Sequence, residues 1–359
     1  MLLRGPTVES RPDRAVWTVS VEDRGSRRRL WFSVPRAYGS WLSSRLDPAV
    51  IALFPVAMHA GVDLRAEGRV SARVLHVLRG DARELLRIQS PFFRDGFIEA
   101  DEIVEAPSGG SAVATGFSAG VDSFAVLDRH LFREVEPGFR VTHLLFNNVG
   151  SHGVGGWGLF HRRFERLRPV AEETGLPFLP VDSNLDGFYP PAVSFQRSHS
   201  VRNAAVSHLL RPGIGRLLYA GSYRFRDCRV SEHVDSAVLD PILLPLLSVA
   251  GLDLVSTGGS SSRVEKTVRI AEWPIVRRHL NVCVNPHHEG PKPNCSACWK
   301  CLRTLATLEI AGLLEEFGEV FDLGVYRDCR DDFFRALPDA DAPLLREVRD
   351  YAETVGFRY

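Results

Sequence analysis

A short run of small and hydroxyl residues separates two apolar segments in the first half of the chain. It reads SAGVDS, from Ser118 to Ser123, and it follows a strand-like segment that ends at Phe117. Small residues allow the backbone to approach a ligand closely, and the start of a following helix presents free N–H groups and a partial positive charge. The serine hydroxyls add two hydrogen-bond donors. This combination predicts a binding site for an anion, most simply a chain of phosphates.

The charged residues near this loop predict a metal ion and additional cations. Asp122 would repel phosphate unless a divalent cation lies between them, so coordination of Mg²⁺ is its natural role. The loop lacks the lysine of the Walker pattern G-x-x-x-x-G-K-[ST], and its cations must therefore come from elsewhere. The later segment SSSRVEK supplies Arg263 and Lys266 as candidates to neutralise the phosphates. A solvated, charged helix face is the alternative interpretation of that segment.

A cysteine cluster is the second group of residues whose side chains could take part in chemistry. Four of the six cysteines follow the spacing C-x11-C-x2-C-x2-C, at Cys283, Cys295, Cys298 and Cys301. Thiolates at this spacing can converge on one tetrahedral ion, and four sulfur ligands favour Zn²⁺ over an iron–sulfur cluster. His287 and His288 are the alternatives for one of the four ligands. A closed site of this kind predicts a structural role.

Composition limits the classes of function. The chain has 359 residues, of which 45% are hydrophobic, and its 44 Lys and Arg balance its 44 Asp and Glu. It can bury a sizeable core, its length favours two domains, and its neutrality gives no support for non-specific binding to nucleic acid or to an anionic membrane. No apolar run approaches the ~18 residues of a spanning helix, and no signal-peptide core precedes the first polar residues. We therefore expect a cytoplasmic protein.

The elements that must position these residues fall into two regions. Residues 1–106 predict a small α+β accessory domain, followed by a linker at 105–110. Its predicted elements are strands at 15–21 and 29–34 around a turn at 22–25, a helix at 46–58, and a strand or short helix at each of 70–78 and 84–90.

Residues 111–325 predict an α/β domain, with the cysteine segment 283–301 inside it. The predicted strands are 111–117, 141–147, 178–181 and 216–220, and the predicted helices are 124–131, 159–174 and 201–210. Apolar strands without alternation, separated by helices, indicate a parallel sheet with helices on both faces. Residues 326–359 predict a C-terminal helical tail.

Ligands of such sheets bind at the carboxyl ends of the strands. Asn147 with Asn148, and Gly221 with Ser222, end two of the predicted strands. Both pairs are candidates to contact a ligand, and ordinary turns are the alternative.

The loop resembles a known motif. SAGVDS is similar to the S-G-G-x-D-S pyrophosphate loop of the ATP pyrophosphatases, which share the adenine-nucleotide α-hydrolase (HUP-like) fold. Members of that superfamily cleave ATP between the α and β phosphates, adenylate a substrate oxygen and release pyrophosphate. Ala119 replaces a glycine of the pattern, which costs on the order of 1 kcal/mol if that position needs a positive φ.

The resemblance implies catalytic roles for Ser118, Asp122 and Ser123. It implies that Asn147 lies where this fold recognises adenine. The implied ATP contacts are Phe117, Ser118, Ala119, Gly120, Val121, Asp122, Ser123, Asn147, Gly221, Arg263 and Lys266.

The loop and the cysteine spacing together resemble the 7-cyano-7-deazaguanine synthase family of the queuosine pathway, which activates a deazaguanine carboxylate. Leu302-Arg303 after the last cysteine matches as well. The pairs Arg202-Asn203 and Asp227-Cys228-Arg229 resemble the R-N and D-C-R segments of that family, which implies substrate contacts by Arg202, Asn203, Asp227 and Arg229. The resemblance covers approximately residues 110–310.

These resemblances imply an ATP-dependent carbon–nitrogen ligase that uses ATP, Mg²⁺ and structural Zn²⁺. The expected substrate is a small deazaguanine-like carboxylate, which becomes an amide or a nitrile. The additional N-terminal region favours an acceptor larger than ammonia, such as an amine on a protein or metabolite. Two alternatives stay open. One is a tRNA sulfur transferase that uses Cys228, against which the neutral charge weighs, and the other is a degenerate nucleotide-binding regulator, suggested by Ala119.

Overall fold

A computed structural model describes residues 1–106, 108–153, 155–285, 288 and 290–359 of the chain. Its strands are β1 Leu2–Ser10, β2 Arg14–Asp23, β3 Ser26–Pro35, β4 Leu64–Ser71, β5 Ile98–Val104, β6 Ala112–Gly116, β7 His143–Asn147, β8 Phe178–Ser183, β9 Ile214–Ala220 and β10 Asp253–Thr257. Its α-helices are α1 Asp47–Ala60, α2 Ala72–Arg79, α3 Asp81–Gln89, α4 Val121–Leu127, α5 Trp157–Thr174, α6 Phe195–Leu209, α7 Asp240–Leu246, α8 Arg263–Ile270, α9 Pro274–His279, α10 Trp299–Ile310, α11 Leu323–Ala336 and α12 Pro343–Val355.

The strands form a ten-stranded, mostly parallel sheet in the order β10-β9-β6-β7-β8-β3-β2-β1-β4-β5. All pairs from β10 to β8 are parallel, which confirms the predicted α/β class. Within that half, the first strand along the chain, β6, lies between the second, β7, and the fourth, β9. The order of strands reverses there, and open α/β sheets bind their ligands at such a switch point.

Apolar residues on successive positions of the parallel strands enter two different cores. Ala114, Leu145 and Leu217 pack on one face of the sheet with residues of α1, α6 and α7. Leu144 and Leu218 pack on the other face with residues of α4, α5 and α10. Helices therefore cover both faces of the sheet, as the unbroken apolar strands predicted.

The N-terminal residues continue this sheet. Phe32 and Ser33 of β3 pair with the end of β8 in antiparallel register, and helix α1 packs against α6 in a shared core. The predicted strands at 15–21 and 29–34 and the helix at 46–58 are confirmed, whereas β1, β4, β5 and β10 were not predicted. Residues 70–78 contain the end of β4 and helix α2, and residues 84–90 lie largely in α3. The predicted linker includes Pro107, which lies outside the described residues.

The C-terminal residues are helical, as predicted. Helices α11 and α12 pack against α10, and α12 also contacts α8. A small apolar core formed by these four helices includes Val264, Ala306, Phe334 and Val348. In the part of the chain that the structure describes, no helix combines the length and the apolar character needed to cross a bilayer.

Candidate functional site

The site lies at the switch point of the sheet, where β6 and β9 end side by side. The loop after β6 holds residues 117–120, and Gly221 and Ser222 follow β9. Phe117 anchors the loop, because its ring is buried and packs edge-on against Phe124 at 5.3 Å. The residues expected to form an anion site are thus placed at the edge of the sheet where parallel sheets bind ligands.

The backbone of this loop takes the conformation for which a glycine would be favoured. Ala119 has φ 54°, in the left-handed region, and its carbonyl accepts a hydrogen bond of 2.8 Å from the backbone N–H of Asn281. The Ala119 side chain is buried in the core on one face of the sheet. The loop therefore keeps its shape with alanine present, at a cost of about 1 kcal/mol in backbone strain.

We expect Ala119→Gly to leave the free energy of unfolding within about 1 kcal/mol of the wild-type value. Relief of the backbone strain favours the variant by about 1 kcal/mol, and loss of a buried methyl group opposes it by about 0.8 kcal/mol. Urea unfolding measures this, with Ala125→Gly as the matched control. Ala125 is buried in α4, so its replacement loses both packing and helix propensity and costs more than 1 kcal/mol. Equal destabilisation by the two variants would contradict the assignment of strain to Ala119.

The two serines of the loop have different roles. The Ser123 hydroxyl is buried, donates to the carbonyl of Gly120 at 3.0 Å and accepts from the N–H of Ser118 at 3.4 Å. Ser118 is exposed, and its hydroxyl accepts from the N–H of Gly120 at 3.4 Å. Ser123 therefore shapes the loop, while Ser118 faces solvent and is accessible to a ligand.

Asp122, Arg263 and Lys266 meet at the mouth of this loop, although α8 lies far from α4 in sequence. The Arg263 Nη2 lies 2.6 Å from the Asp122 Oδ2, and the Lys266 Nζ lies 3.6 Å from the Asp122 Oδ1. Lys266 also donates to the carbonyl of Gly221 at 2.7 Å. Burial lowers the pKa of the Lys266 ammonium, and the Asp122 carboxylate partly offsets this. The alternative of a solvated helix face is wrong for Lys266, which is 1% exposed.

A capping box fixes the start of α8. The Ser262 hydroxyl accepts from the N–H of Glu265 at 3.0 Å, and the Glu265 carboxylate accepts from the N–H of Ser262 at 2.6 Å. Two of the otherwise unpaired N–H groups of the helix are satisfied in this way. The serine run before Arg263 thus fixes the start of the helix that carries Arg263 and Lys266.

The C-terminal helix α12 adds a carboxylate that the sequence did not indicate. The buried Glu347 accepts from the backbone N–H of Arg263 at 2.7 Å, and its other oxygen lies 3.2 Å from the Nε of Arg224. Burial raises the pKa of the Glu347 carboxyl, while the bond from Arg263 and the charge of Arg224 oppose this. Glu347 lies outside the region of resemblance, and no signal in the sequence of α12 marks it.

The predicted substrate contacts are placed differently from one another. Arg202 is fully buried and bonds to Asp186 at 2.6 Å and to the carbonyl of Val149 at 2.7 Å, so protein contacts account for its burial. Asn203 accepts from the amide of Asn147 at 2.9 Å. These contacts place the Arg202 side chain in the core, away from the loop, while Asn147 and Asn203 lie at the carboxyl edge of the sheet.

The remaining two predicted contacts lie in the segment after β9. Asp227 is half-buried and its carboxylate lies 3.6 Å from the Nε of Arg224. Arg229 is exposed and donates to the hydroxyl of Ser231 at 3.2 Å. Asp227 therefore borders the group of charges around Arg263, whereas Arg229 faces solvent.

A polar network that was not predicted connects α6 to the same segment. Asp235 lies 3.1 Å from the Nε2 of His199 and accepts from the Tyr223 hydroxyl at 3.1 Å, and the His199 Nδ1 lies 2.7 Å from the Tyr219 hydroxyl. Burial raises the pKa of the Tyr223 hydroxyl, and Asp235 adds to this shift. Both ring nitrogens of His199 are engaged, so this network holds residues 221–235 against α6.

The four predicted cysteines lie together in the structure. Their Sγ atoms are all within 4.8 Å of one another, with Cys298 3.4 Å and Cys295 3.9 Å from Cys301. Four sulfurs around a tetrahedral zinc ion lie about 3.8 Å apart, given Zn–S distances of ~2.3 Å. The four thiols therefore fit one metal ion. The Nε2 of His288 lies instead 2.8 Å from the carbonyl of Lys292, and His287 lies outside the described residues.

Buried polar residues hold the cysteine loops in place. Asn294 accepts from the N–H groups of Val282 and Cys283 at 2.8 and 3.1 Å, and it donates to the carbonyls of Leu280 and Val320 at 2.8 and 3.0 Å. The N–H of Cys298 donates to the Sγ of Cys295 at 3.3 Å, as in a metal-binding knuckle. Asn294 stands directly before Cys295 in the sequence, and nothing in the sequence indicated that it would hold the cysteine loops.

Neither a model of a known protein family, nor a curated protein, nor a solved structure matches this chain.

Proposed function

We propose that the protein is an ATP-dependent ligase of the HUP-like type that adenylates a carboxylate and passes the acyl group to an amine. The observation that carries this proposal is the group of charges at the switch point. Arg263, Lys266 and Arg303 lie around a single loop carboxylate, Asp122. Buried cations in excess of carboxylates need an anion, and a polyphosphate at a phosphate-type loop is the anion that fits best.

The residues present also fit a magnesium ion. The Asp122 Oδ1 is buried and has no hydrogen-bond partner among the described residues, and the Lys266 Nζ lies 3.6 Å from it. Hard carboxylate oxygens are the ligands that Mg²⁺ prefers. When bound there, Mg²⁺ would supply further neutralisation of phosphate charge.

The side chains of the site have distinct roles in this reaction. The loop N–H groups and the Ser118 hydroxyl hold the nucleotide, and Arg263 and Lys266 neutralise the charge that develops on the departing pyrophosphate. The substrate carboxylate forms a bond from its oxygen to the α phosphorus, and the bond from that phosphorus to the bridging oxygen breaks. An amine then displaces AMP from the acyl-adenylate. Catalysis by this chain is therefore positioning and charge stabilisation.

A planar, purine-like acid such as 7-carboxy-7-deazaguanine is the proposed substrate. The support is the pairing of the loop with the cysteine spacing, and the location of Asn147 and Asn203 at the same edge of the sheet. The amine is ammonia or a primary amine on a larger molecule. Formation of a nitrile would require a second activation of the amide.

The sulfur-transferase alternative requires a reactive cysteine. The Cys228 thiol bonds to the carbonyl of Arg224 at 3.4 Å, and burial with the nearby Asp240 and Asp227 raises the pKa of this thiol. A thiol kept protonated is a poor nucleophile. These contacts favour the ligase over the transferase.

The test follows AMP and the mass of the product. We expect protein, ATP, Mg²⁺ and the deazaguanine acid to yield AMP and an acyl-adenylate, and an amide or nitrile once ammonia or an amine is added. Cys228→Ser should retain full activity, and loss of activity in that variant would instead favour the transferase. Binding of ATP without AMP release for any acid would indicate a regulator. Absence of both AMP formation and acid binding would contradict the proposed substrate.

A further inference from the structure

Helix α10 begins in the cysteine cluster and carries a buried cation toward the candidate site. Arg303 is 3% exposed, and in the described part of the chain its guanidinium makes no hydrogen bond and no ion pair. The Arg303 Cζ lies 5.1 Å from the centroid of the Trp299 ring. A buried charge without a partner is costly, and proteins retain such a group where a ligand supplies the missing partner.

The surroundings of Arg303 show where that ligand would lie. Its guanidinium is within electrostatic range of Arg263 and Asp122, the residues at the mouth of the loop, and α10 packs directly on α8. Lys300, one turn earlier on α10, is half-buried, and its ammonium lies 5.4 Å from the same Trp299 ring. Among described residues, Lys300 also has no carboxylate partner. Two cations of α10 that have no carboxylate partner among the described residues thus lie within electrostatic range of Asp122.

We propose that Arg303 and Lys300 form a subsite for pyrophosphate, the group that leaves from ATP. This proposal rests on the proposed adenylation. It assigns the leaving group of that reaction to residues of α10, the helix that begins directly after Cys298. The bond from the α phosphorus to the bridging oxygen breaks, and pyrophosphate departs with the electron pair. A guanidinium presents paired N–H donors that match phosphate oxygens, and an ammonium adds a point charge. Trp299, which is 58% exposed, holds both cations along its ring.

The subsite is assigned to pyrophosphate because of the position of its cations. Asp122 and Arg263 mark the phosphate end of the nucleotide, and Arg303 interacts with both. Arg263 already has Asp122 as its partner, and Lys266 bonds to Gly221. Arg303 and Lys300 have no carboxylate partner among the described residues, so they are free to add to the neutralisation of pyrophosphate by Arg263 and Lys266.

Binding of inorganic pyrophosphate and of AMP to the full-length protein, measured by calorimetry at constant ionic strength, tests the subsite. We expect Arg303→Met to weaken pyrophosphate binding on the order of 10- to 100-fold and to leave AMP binding unchanged. Lys300→Met should have a smaller effect in the same direction, and Arg303→Lys should restore part of the affinity. Arg335→Gln is the control for loss of one positive charge, since Arg335 is an exposed residue of α11 paired with Asp332.

Thermal unfolding without ligand separates this role from a structural one. Removal of an unpaired buried charge should leave the melting temperature of Arg303→Met equal to or above that of the wild type. A lower melting temperature, an equal loss of pyrophosphate and AMP binding, or unchanged pyrophosphate binding would each overturn the proposal. Loss of affinity for the acid alone would also overturn it and would assign the subsite to the substrate carboxylate.

The outcome for the subsite is distinct from the outcome for the proposed function. Wild-type protein that binds pyrophosphate through Arg303 but forms no AMP with any acid would retain the subsite and contradict the ligase. Wild-type protein that forms AMP but does not bind pyrophosphate would contradict the subsite and retain the ligase.

Discussion

Asp122→Ala should reduce formation of AMP and pyrophosphate by about 100- to 1,000-fold or more while the fold stays intact. The Asp122 carboxylate holds the Arg263 guanidinium at 2.6 Å and the Lys266 ammonium at 3.6 Å, and its Oδ1 has no hydrogen-bond partner among the described residues. Its removal takes away the proposed magnesium ligand and leaves both cations free to move. Turnover measured by release of AMP under saturating ATP checks this.

Two variants control the Asp122 experiment. Asp122→Asn preserves the shape of the side chain but not its charge, and it should lose nearly as much activity as Asp122→Ala. Asp81→Ala removes an exposed carboxylate from the first turn of α3, a helix that packs on α2 and α7, and should turn over normally. Circular dichroism establishes that each variant is folded. Normal turnover by Asp122→Ala would show that the loop does not hold the nucleotide.

The parts of the site that could be predicted are those carried by short, local patterns. The strand before Ser118 and the helix after it follow from apolar periodicity, and the small residues between them can do little but form a loop. Cys295, Cys298 and Cys301 are brought together by their spacing on one knuckle. Arg263 and Lys266 were predicted to serve the loop because it lacks a cation of its own, and the structure places both beside Asp122.

The parts that could not be predicted depend on packing between distant helices. Glu347 reaches Arg263 because α12 packs on α8, and Arg303 lies within electrostatic range of Asp122 because α10 packs on α8 as well. Asp235 contacts His199, and a single sequence gives no reason to pair these two residues. Side chains at such positions have no local signature, since an exposed and a buried charge on an amphipathic helix look alike in sequence.

In the N-terminal region, local sequence patterns predicted strands but not their partners in the sheet. The alternation in β2 and β3 indicated strands with one buried face, and both are present. The pairing of β3 with β8 joins residues about 150 positions apart, at Phe32 and Ser183. Strand propensity is local, whereas a neighbour in a sheet is chosen by long-range register. For this reason the sequence indicated the strands β2 and β3 but not their place in the ten-stranded sheet.

Loss of the metal ion should have the largest effect on the folded protein. We expect about one zinc ion per chain, and we expect Cys298→Ser to yield a poorly soluble protein without metal. Structural zinc sites contribute on the order of 10–16 kcal/mol, which is as large as the total stability of most domains, about 5–15 kcal/mol. Elemental analysis measures the zinc content, and thermal unfolding measures the loss of stability. A spectrum without visible absorbance would exclude an iron–sulfur cluster.

Cys329→Ser provides the matched control, because Cys329 is half-buried in α11 and lies outside the four-thiol group. It should retain the metal ion and melt close to the wild type. Well-folded protein that contains no metal would contradict the prediction. The effect should also extend to the candidate site, because α10 starts directly after Cys298 and carries Arg303 on its second turn. Removal of the ion by a chelator should therefore weaken pyrophosphate binding as well.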